Sequence, residues 1–251
     1  MENTKNTSAK SSINSLNHKG TVTSDNKMIA NAFNEYFTTI GNELAKQIKD
    51  TGKSKLDDYM NKPVSSSIFL TPVNDIEVQR EINKLKLGKA AGIDAIPSKI
   101  LKAASGAIIP NLVHIFNLAF TAGIYPDALK VSKVVPIFKK GDNKLPENYR
   151  PISLLSCINK LLEKAIEKRL RDFIDKNNLF YEYQFGFRKK YSTCHALLDM
   201  TNNIYKHLNA GENVLGLYLD LKKAFDTVDH TILLRKMNYY GIRGTANQLL
   251  T

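Results

Sequence analysis

Between Asn26 and Asp50, Ile29, Phe33, Phe37, Ile40, Leu44 and Ile48 recur at helical spacing. This predicts an amphipathic helix capped by Ser24 or Asp25. Ahead of it, residues 1–24 are rich in Ser, Asn, Thr and Lys with few large apolar residues, which reads as a disordered tail. Residues 51–70 read as a linker carrying Gly52, Pro63 and three consecutive serines. A second helix is expected from about Asp75 to Leu87, with Ile76, Ile82 and Leu85 inward and Gly88 as its stop. The stretch from Gly88 to Pro97 is small and loop-like, and helices follow at about 97–105 and 108–121, closed by Gly123 and Pro126.

The period then changes. Lys133 to Phe138 and Tyr149 to Leu155 are short β-like runs flanking the turn-rich Lys139-Lys140-Gly141-Asp142-Asn143, an antiparallel hairpin by pattern. Long helices are expected at about 156–176 and 191–209, a strand at 213–220, and a last helix from Asp229 to Tyr239. Helices mixed with a hairpin and a central strand make the fold class α+β. At 251 residues, the chain suits one large domain with an appendage, or two modest domains.

Charge sharpens this picture once it is located. The net charge is +12, of which residues 130–190 carry +8 and residues 1–70 only +2. Clustered cations suit a polyphosphate partner, although a well-solvated basic surface would read the same way. Cys157 and Cys194 lie far apart and follow no metal-ligand spacing, so both are read as buried, reduced thiols. The most apolar segment, Ala107 to Tyr125, is interrupted by Pro110, Asn111, His114 and Asn117 and is not expected to cross a bilayer. The N-terminus has no apolar signal-like stretch, so an intracellular protein is expected.

Candidate chemistry concentrates at Val214-Leu215-Gly216-Leu217-Tyr218-Leu219-Asp220, an apolar run ending in a carboxylate, with Phe225 five residues on. Mg²⁺ takes oxygen ligands, and a carboxylate on a rigid strand end is a common way to present one. Asp220 fits that role, with the Leu221 carbonyl as companion; it also fits a plain strand-end or turn aspartate. Phe225 suits either core packing or a wall beneath a nucleotide sugar. Asp226 and Asp229 precede a helical run and read as caps. Lys139 and Arg150 lie on opposite hairpin arms, where a point charge and a planar fork together suit a triphosphate; a solvated lysine-rich hairpin is the plainer alternative. In Gln184-Phe185-Gly186-Phe187-Arg188-Lys189, aromatics alternate with cations around a glycine, which suits close approach of a nucleic-acid backbone or simply a loop before a helix capped by Ser192 or Thr193.

The order of these motifs resembles a family. Gly92-Ile93-Asp94, Asn148-Tyr149-Arg150-Pro151-Ile152-Ser153-Leu154-Leu155, Gln184-Phe185-Gly186-Phe187-Arg188 and Leu219-Asp220-Leu221-Lys222-Lys223-Ala224-Phe225-Asp226 are similar to the motifs of non-LTR (LINE-type, jockey-like) retrotransposon reverse transcriptases. Phe33-Asn34-Glu35-Tyr36-Phe37 also resembles the connector that precedes the polymerase in such elements.

The resemblance implies a right-hand polymerase that extends a DNA primer on an RNA template by two-metal chemistry with Mg²⁺, or Mn²⁺ in its place. It divides the chain into a tail (1–24), a helical connector and linker (25–70), and fingers with a partial palm (71–251), the thumb being absent. Asp220 becomes a catalytic metal aspartate and Phe225 a steric gate against the 2′-hydroxyl. Lys223 and Ala224 offer backbone N–H groups to the deoxynucleoside triphosphate, and Lys139 and Arg150 clamp it, with Lys140 a rival for the lysine role. Gln184, Gly186, Phe187, Arg188 and Lys189 lie near the template.

The family's second palm motif, an aromatic, one residue and two aspartates, does not occur before Thr251. The polypeptide alone is therefore expected to be inactive. The alternative is a decayed element's product acting at most as a basic RNA-binding fragment. An unrelated metal-dependent nuclease would need clustered carboxylates that the sequence does not display. By family, a ribonucleoprotein of nucleus and cytoplasm is expected, without membrane association; oligomeric state is left open.

Overall fold

Asp25 caps the first long helix, its carboxylate accepting from the Met28 N–H at 2.9 Å. In the computed structural model, which describes residues 13–47 and 63–251, this helix, α1, spans Asn26–Lys46. Just before it, β1 (Leu16–His18) and β2 (Thr21–Thr23) pair as an antiparallel hairpin. This corrects the expected tail: Leu16, fully buried, packs with Ile29, Ala32, Phe33 and Tyr149, and that anchor orders the segment. The rest of the expected tail, residues 1–12, the end of the expected first helix, 48–50, and residues 51–62 of the expected linker lie outside the described residues.

The main core is helical. α2 (Asp75–Lys84), α3 (Ser98–Ala103), α4 (Ser105–Ala122) and α6 (Cys157–Lys176) converge on Val78, Ile82, Leu101, Phe116, Leu162 and Ile166. A short α5 (Asp127–Lys130) follows Pro126. α2 stops at Lys84, three residues before the expected end, and Ile76 points outward at 71% exposed. Val78 takes the inward place, because the face shared by 78 and 82 is the one that meets α4 and α6.

α4 begins at Ser105, earlier than expected, leaving Pro110 inside the helix at the cost of one N–H bond. By length and composition α4 could cross a membrane. Its Ile109, Leu112, Phe116, Ala119 and Phe120 are instead buried in the core.

β3 (Lys133–Phe138) and β4 (Tyr149–Leu154) form the expected hairpin, with a 3-10 turn at Pro146–Asn148. The register pairs Ile137 with Arg150 and Phe138 with Tyr149. One face, with Phe138 and Tyr149, packs on α1: Tyr149 meets the Phe33 ring edge-on at 4.9 Å and Phe138 at 5.4 Å. The strands beyond these are the weak point. Residues 212–221, expected to hold a strand, have no regular secondary structure, and Leu215, Leu217, Leu219 and Leu221 are exposed. A strand needs a neighbour for its N–H and C=O groups, and among the described residues the two hairpins pair only within themselves.

α7 (Thr193–Asn209) and α8 (His230–Tyr239) form as expected, capped by Ser192 and Asp229. Neither has a fully buried residue. A further short helix, α9 (Thr245–Leu249), inserts Leu249 into the main core. Of the two free cysteines, Cys157 is buried but Cys194 is exposed, against the expectation that both are buried. The fold is thus mixed, with helices around two small antiparallel sheets.

Candidate nucleotide and nucleic-acid site

The β3–β4 register decides what the hairpin presents. Lys139 donates its backbone N–H to the Asn148 carbonyl at 2.8 Å, extending the ladder one step past Phe138. Because side chains alternate across a ladder, Lys139 falls on the face of Ile137 and Arg150, opposite to Phe138 and Tyr149. The aromatic face is taken by α1, so the Lys139–Arg150 face is left to solvent, and both residues are exposed. Lys140 lies past the ladder, in the bend before Gly141.

Gly92, first of the quoted motif residues, has a packing role. A Cβ there would meet the Ser156 N at 2.5 Å and the Leu155 carbonyl carbon at 2.8 Å, so the loop lies directly against the start of α6. The Asp94 carboxylate accepts from the Ile96 N–H at 3.2 Å, tightening the same loop.

The segment 184–189 folds back on itself. Gln184 donates its side-chain amide to the Gly186 carbonyl at 3.2 Å. The Arg188 guanidinium lies over the rings of Tyr191 at 4.3 Å and Phe180 at 5.4 Å, and donates to the Tyr181 and Glu182 carbonyls at 3.4 Å. Arg188 therefore braces the loop that the resemblance sets near the template. Lys189 is exposed, and nothing lies within 4 Å of where a Gly186 Cβ would be. Phe187 is 83% exposed and adopts a left-handed φ of 59°.

The Phe187 ring nonetheless has a partner. It meets Phe225 edge-to-face, centroids 6.2 Å apart at 88°, so the two motifs touch although 37 positions separate them in the chain. Asp220 and Leu221 lie in the irregular exposed run, and Lys223 opens the turn that follows with a φ of 49°. That turn is held by the Asp226 N–H donating to the Lys223 carbonyl at 2.9 Å. Ala224 lies within it, exposed. Asp229 caps α8 as expected, accepting from the Ile232 N–H at 3.0 Å, whereas Asp226 belongs to the turn.

Sequence reasoning missed two residues of α1. The Lys223 ammonium lies over the Tyr36 ring at 4.8 Å, and a Cβ on Gly41 would stand 2.0 Å from the Asp226 carbonyl oxygen. A glycine in a helix interior is a signal of close approach. Burial pushes the Tyr36 hydroxyl pKa up, and the Glu147 and Asp226 carboxylates push it further. Burial lowers the pKa of the Lys223 amine, with Asp226 and Glu147 opposing the shift.

As a magnesium site the donor set does not fit. Asp220 supplies one carboxylate, and no group of three or more His, Cys, Asp or Glu able to hold a metal gathers among the described residues. A two-ion centre needs several oxygen ligands in fixed places, so no metal-dependent step is derived for this arrangement.

Comparison with known proteins places these motifs. Residues 137–250 match the family described as reverse transcriptase (RNA-dependent DNA polymerase), so the chain is related to the reverse transcriptases. Its relatives narrow the class. The chain is 32% identical over 192 residues to the probable RNA-directed DNA polymerase from transposon BS of Drosophila melanogaster, covering 74% of this chain and 21% of that protein. It is 32% identical over 183 residues to the RNA-directed DNA polymerase from mobile element jockey of the same fly, covering 72% and 20%. A third, from transposon X-element, is 29% identical over 204 residues, covering 78% and 22%. The chain is thus a relative of the jockey-like, non-LTR retrotransposon reverse transcriptases, and it spans about a fifth of the length of the curated relatives it matches.

Proposed function

We propose that residues 71–251 are the fingers and the first palm segment of an RNA-directed DNA polymerase of a non-LTR retrotransposon, joined to a helical connector and linker in residues 25–70. One observation carries this reading. Two motifs far apart in sequence meet, since Phe187 lies against Phe225 at 6.2 Å; the hairpin register separately puts Lys139 and Arg150 on one open face.

In this reading Lys139 and Arg150 hold the triphosphate, and the Lys223 and Ala224 N–H groups assist. Phe225 stands below the sugar and excludes a 2′-hydroxyl. Gln184, Gly186, Phe187 and Lys189 line the template, with Arg188 bracing their loop. Asp220, with the Leu221 carbonyl, contributes one part of a Mg²⁺ or Mn²⁺ site that further carboxylates must complete. The partners are an RNA template, a DNA primer and deoxynucleoside triphosphates, within a ribonucleoprotein of cytoplasm and nucleus.

Among the described residues no full metal ligand set gathers, and the 251-residue polypeptide by itself is expected not to polymerise. The test is primer extension on an RNA template, coupled to photocrosslinking of labelled primer–template. No incorporation is expected, with crosslinks at residues 139–150 and 184–189. Incorporation abolished by Asp220→Ala would overturn the inactivity, and crosslinks confined to α7 or α8 would overturn the site.

A further inference from the structure

The helix α1 lies outside the segment that matches the polymerase family, yet it packs on the back of the hairpin, against the face opposite Lys139 and Arg150, and on the turn Lys223–Asp226. Toward its N-terminal end, Phe33 packs on Tyr149, the residue next to Arg150 in β4. One turn on, the Tyr36 ring lies under the Lys223 ammonium at 4.8 Å. A further turn along, the Gly41 backbone abuts the Asp226 carbonyl, where a Cβ would come within 2.0 Å. Between the helix and the turn is a cavity of about 630 Å³ lined by Thr38, Asn42, Phe225, Asp226 and His230 among others. Residues 212–221 have no strand partner among the described residues, so the turn after Asp220 takes its position from α1 and from the Phe187 ring.

We propose that α1 is the strut that fixes the turn Lys223–Asp226 relative to the Lys139–Arg150 hairpin, with Tyr36 and Gly41 as positioning residues for triphosphate binding. This rests on the nucleotide-site reading above. Tyr36 supplies the flat, electron-rich face of a neutral ring for the lysine, and the absence of a side chain at Gly41 lets the turn's carbonyl reach the helix. Neither touches the nucleotide. Their effect is to fix the turn that carries the Lys223 and Ala224 N–H groups relative to the hairpin that carries the two cations.

The experiment uses the 251-residue chain and two readouts. One is titration with a deoxynucleoside triphosphate in Mg²⁺, followed by NMR. The other is the rate of tryptic cleavage after Lys222 and Lys223, which reports how firmly the turn is held. Loss of one cation–π anchor predicts about 3- to 10-fold weaker triphosphate binding for Tyr36→Leu, together with faster cleavage. Tyr36→Phe keeps the ring and should restore both. Gly41→Ala should weaken binding similarly while raising the helix propensity of α1, so general unfolding would not account for the loss.

Binding weakened by Arg150→Ala but unchanged in Tyr36→Leu and Gly41→Ala would overturn the strut and leave the nucleotide site standing. No triphosphate binding by the unmodified chain would overturn the site reading, and the strut with it.

Discussion

Arg169 is the charged residue whose loss should be felt most. Its side chain is 5% exposed and that of Glu77 11%, and the two form a forked pair across α6 and α2. All five guanidinium donors are used: Nε donates to the Thr71 carbonyl at 2.9 Å, one terminal nitrogen to Glu77 and the Ala165 carbonyl, the other to Glu77 at 2.9 Å and the Pro72 carbonyl at 3.0 Å. The group also lies 5.3 Å from the Phe120 ring centroid. Arg169→Met would leave the Glu77 carboxylate nearly buried with only Lys168, at 3.5 Å, for a partner.

Removing one member of a buried pair typically costs about 3–5 kcal/mol. The nearby Lys168 and the freedom of the exposed Thr71 and Pro72 carbonyls to rehydrate place this case near 3 kcal/mol. Glu77→Gln should cost about as much, since it strands the guanidinium charge. The double variant Glu77→Met/Arg169→Met should cost clearly less than the sum, because it removes both charges and keeps the volume.

Urea unfolding followed by circular dichroism measures all three. Single costs below about 1 kcal/mol that simply add in the double variant would refute the reasoning. The pair also predicts a pH dependence. Burial pushes the Glu77 carboxyl pKa up, but Arg169, helped by Lys168, more than offsets this and holds it below its ordinary value near 4.5. Its stabilisation is therefore complete above that value and lost as pH falls through the lower folded value, a loss that Arg169→Met should abolish.

Other outcomes follow from the surface. Native protein should react with one thiol reagent equivalent at Cys194, since it is exposed, and resist at Cys157, where burial raises the thiol pKa; equal labelling of the two, read by mass spectrometry, would contradict the packing of α6. Single-stranded RNA binding should weaken with salt, and Lys139→Ala, Arg150→Ala and Lys189→Ala should each flatten the log–log slope by about 0.7 in filter binding. An unchanged slope would remove those residues from the interface. The exposed leucines of the run 214–221 should promote association. Leu217→Ser with Leu219→Ser should raise the monodisperse fraction in size-exclusion chromatography, and an already monodisperse native sample would refute this.

Much of the fold could be read directly from the residues. Asp25, Ser192 and Asp229 each cap a helix that begins where the apolar period begins, because capping is decided within three or four positions of chain. The β3–β4 hairpin was likewise local, set by two alternating runs around a short turn. The candidate site was legible only as motifs in order, and the shared face of Lys139 and Arg150 follows from the hairpin register.

What sequence could not decide depended on partners distant in the chain. The run 213–220 has a strand's composition, but strand formation is a property of a pair, and no described segment pairs with it. Ile76 and Val78 compete for the inward face of α2, and packing against α4 and α6 chose Val78. Leu16 looked like part of a polar tail until α1 and Tyr149 supplied a surface to bury it. Arg188 could be named from its motif, but its packing over the rings of Phe180 and Tyr191 could not. Tyr36 and Gly41 mattered only once the turn at Lys223–Asp226 was laid against them. Local hydrogen bonding and periodicity are written in neighbouring residues, whereas burial and pairing are free energies of contact between segments that only the folded chain brings together.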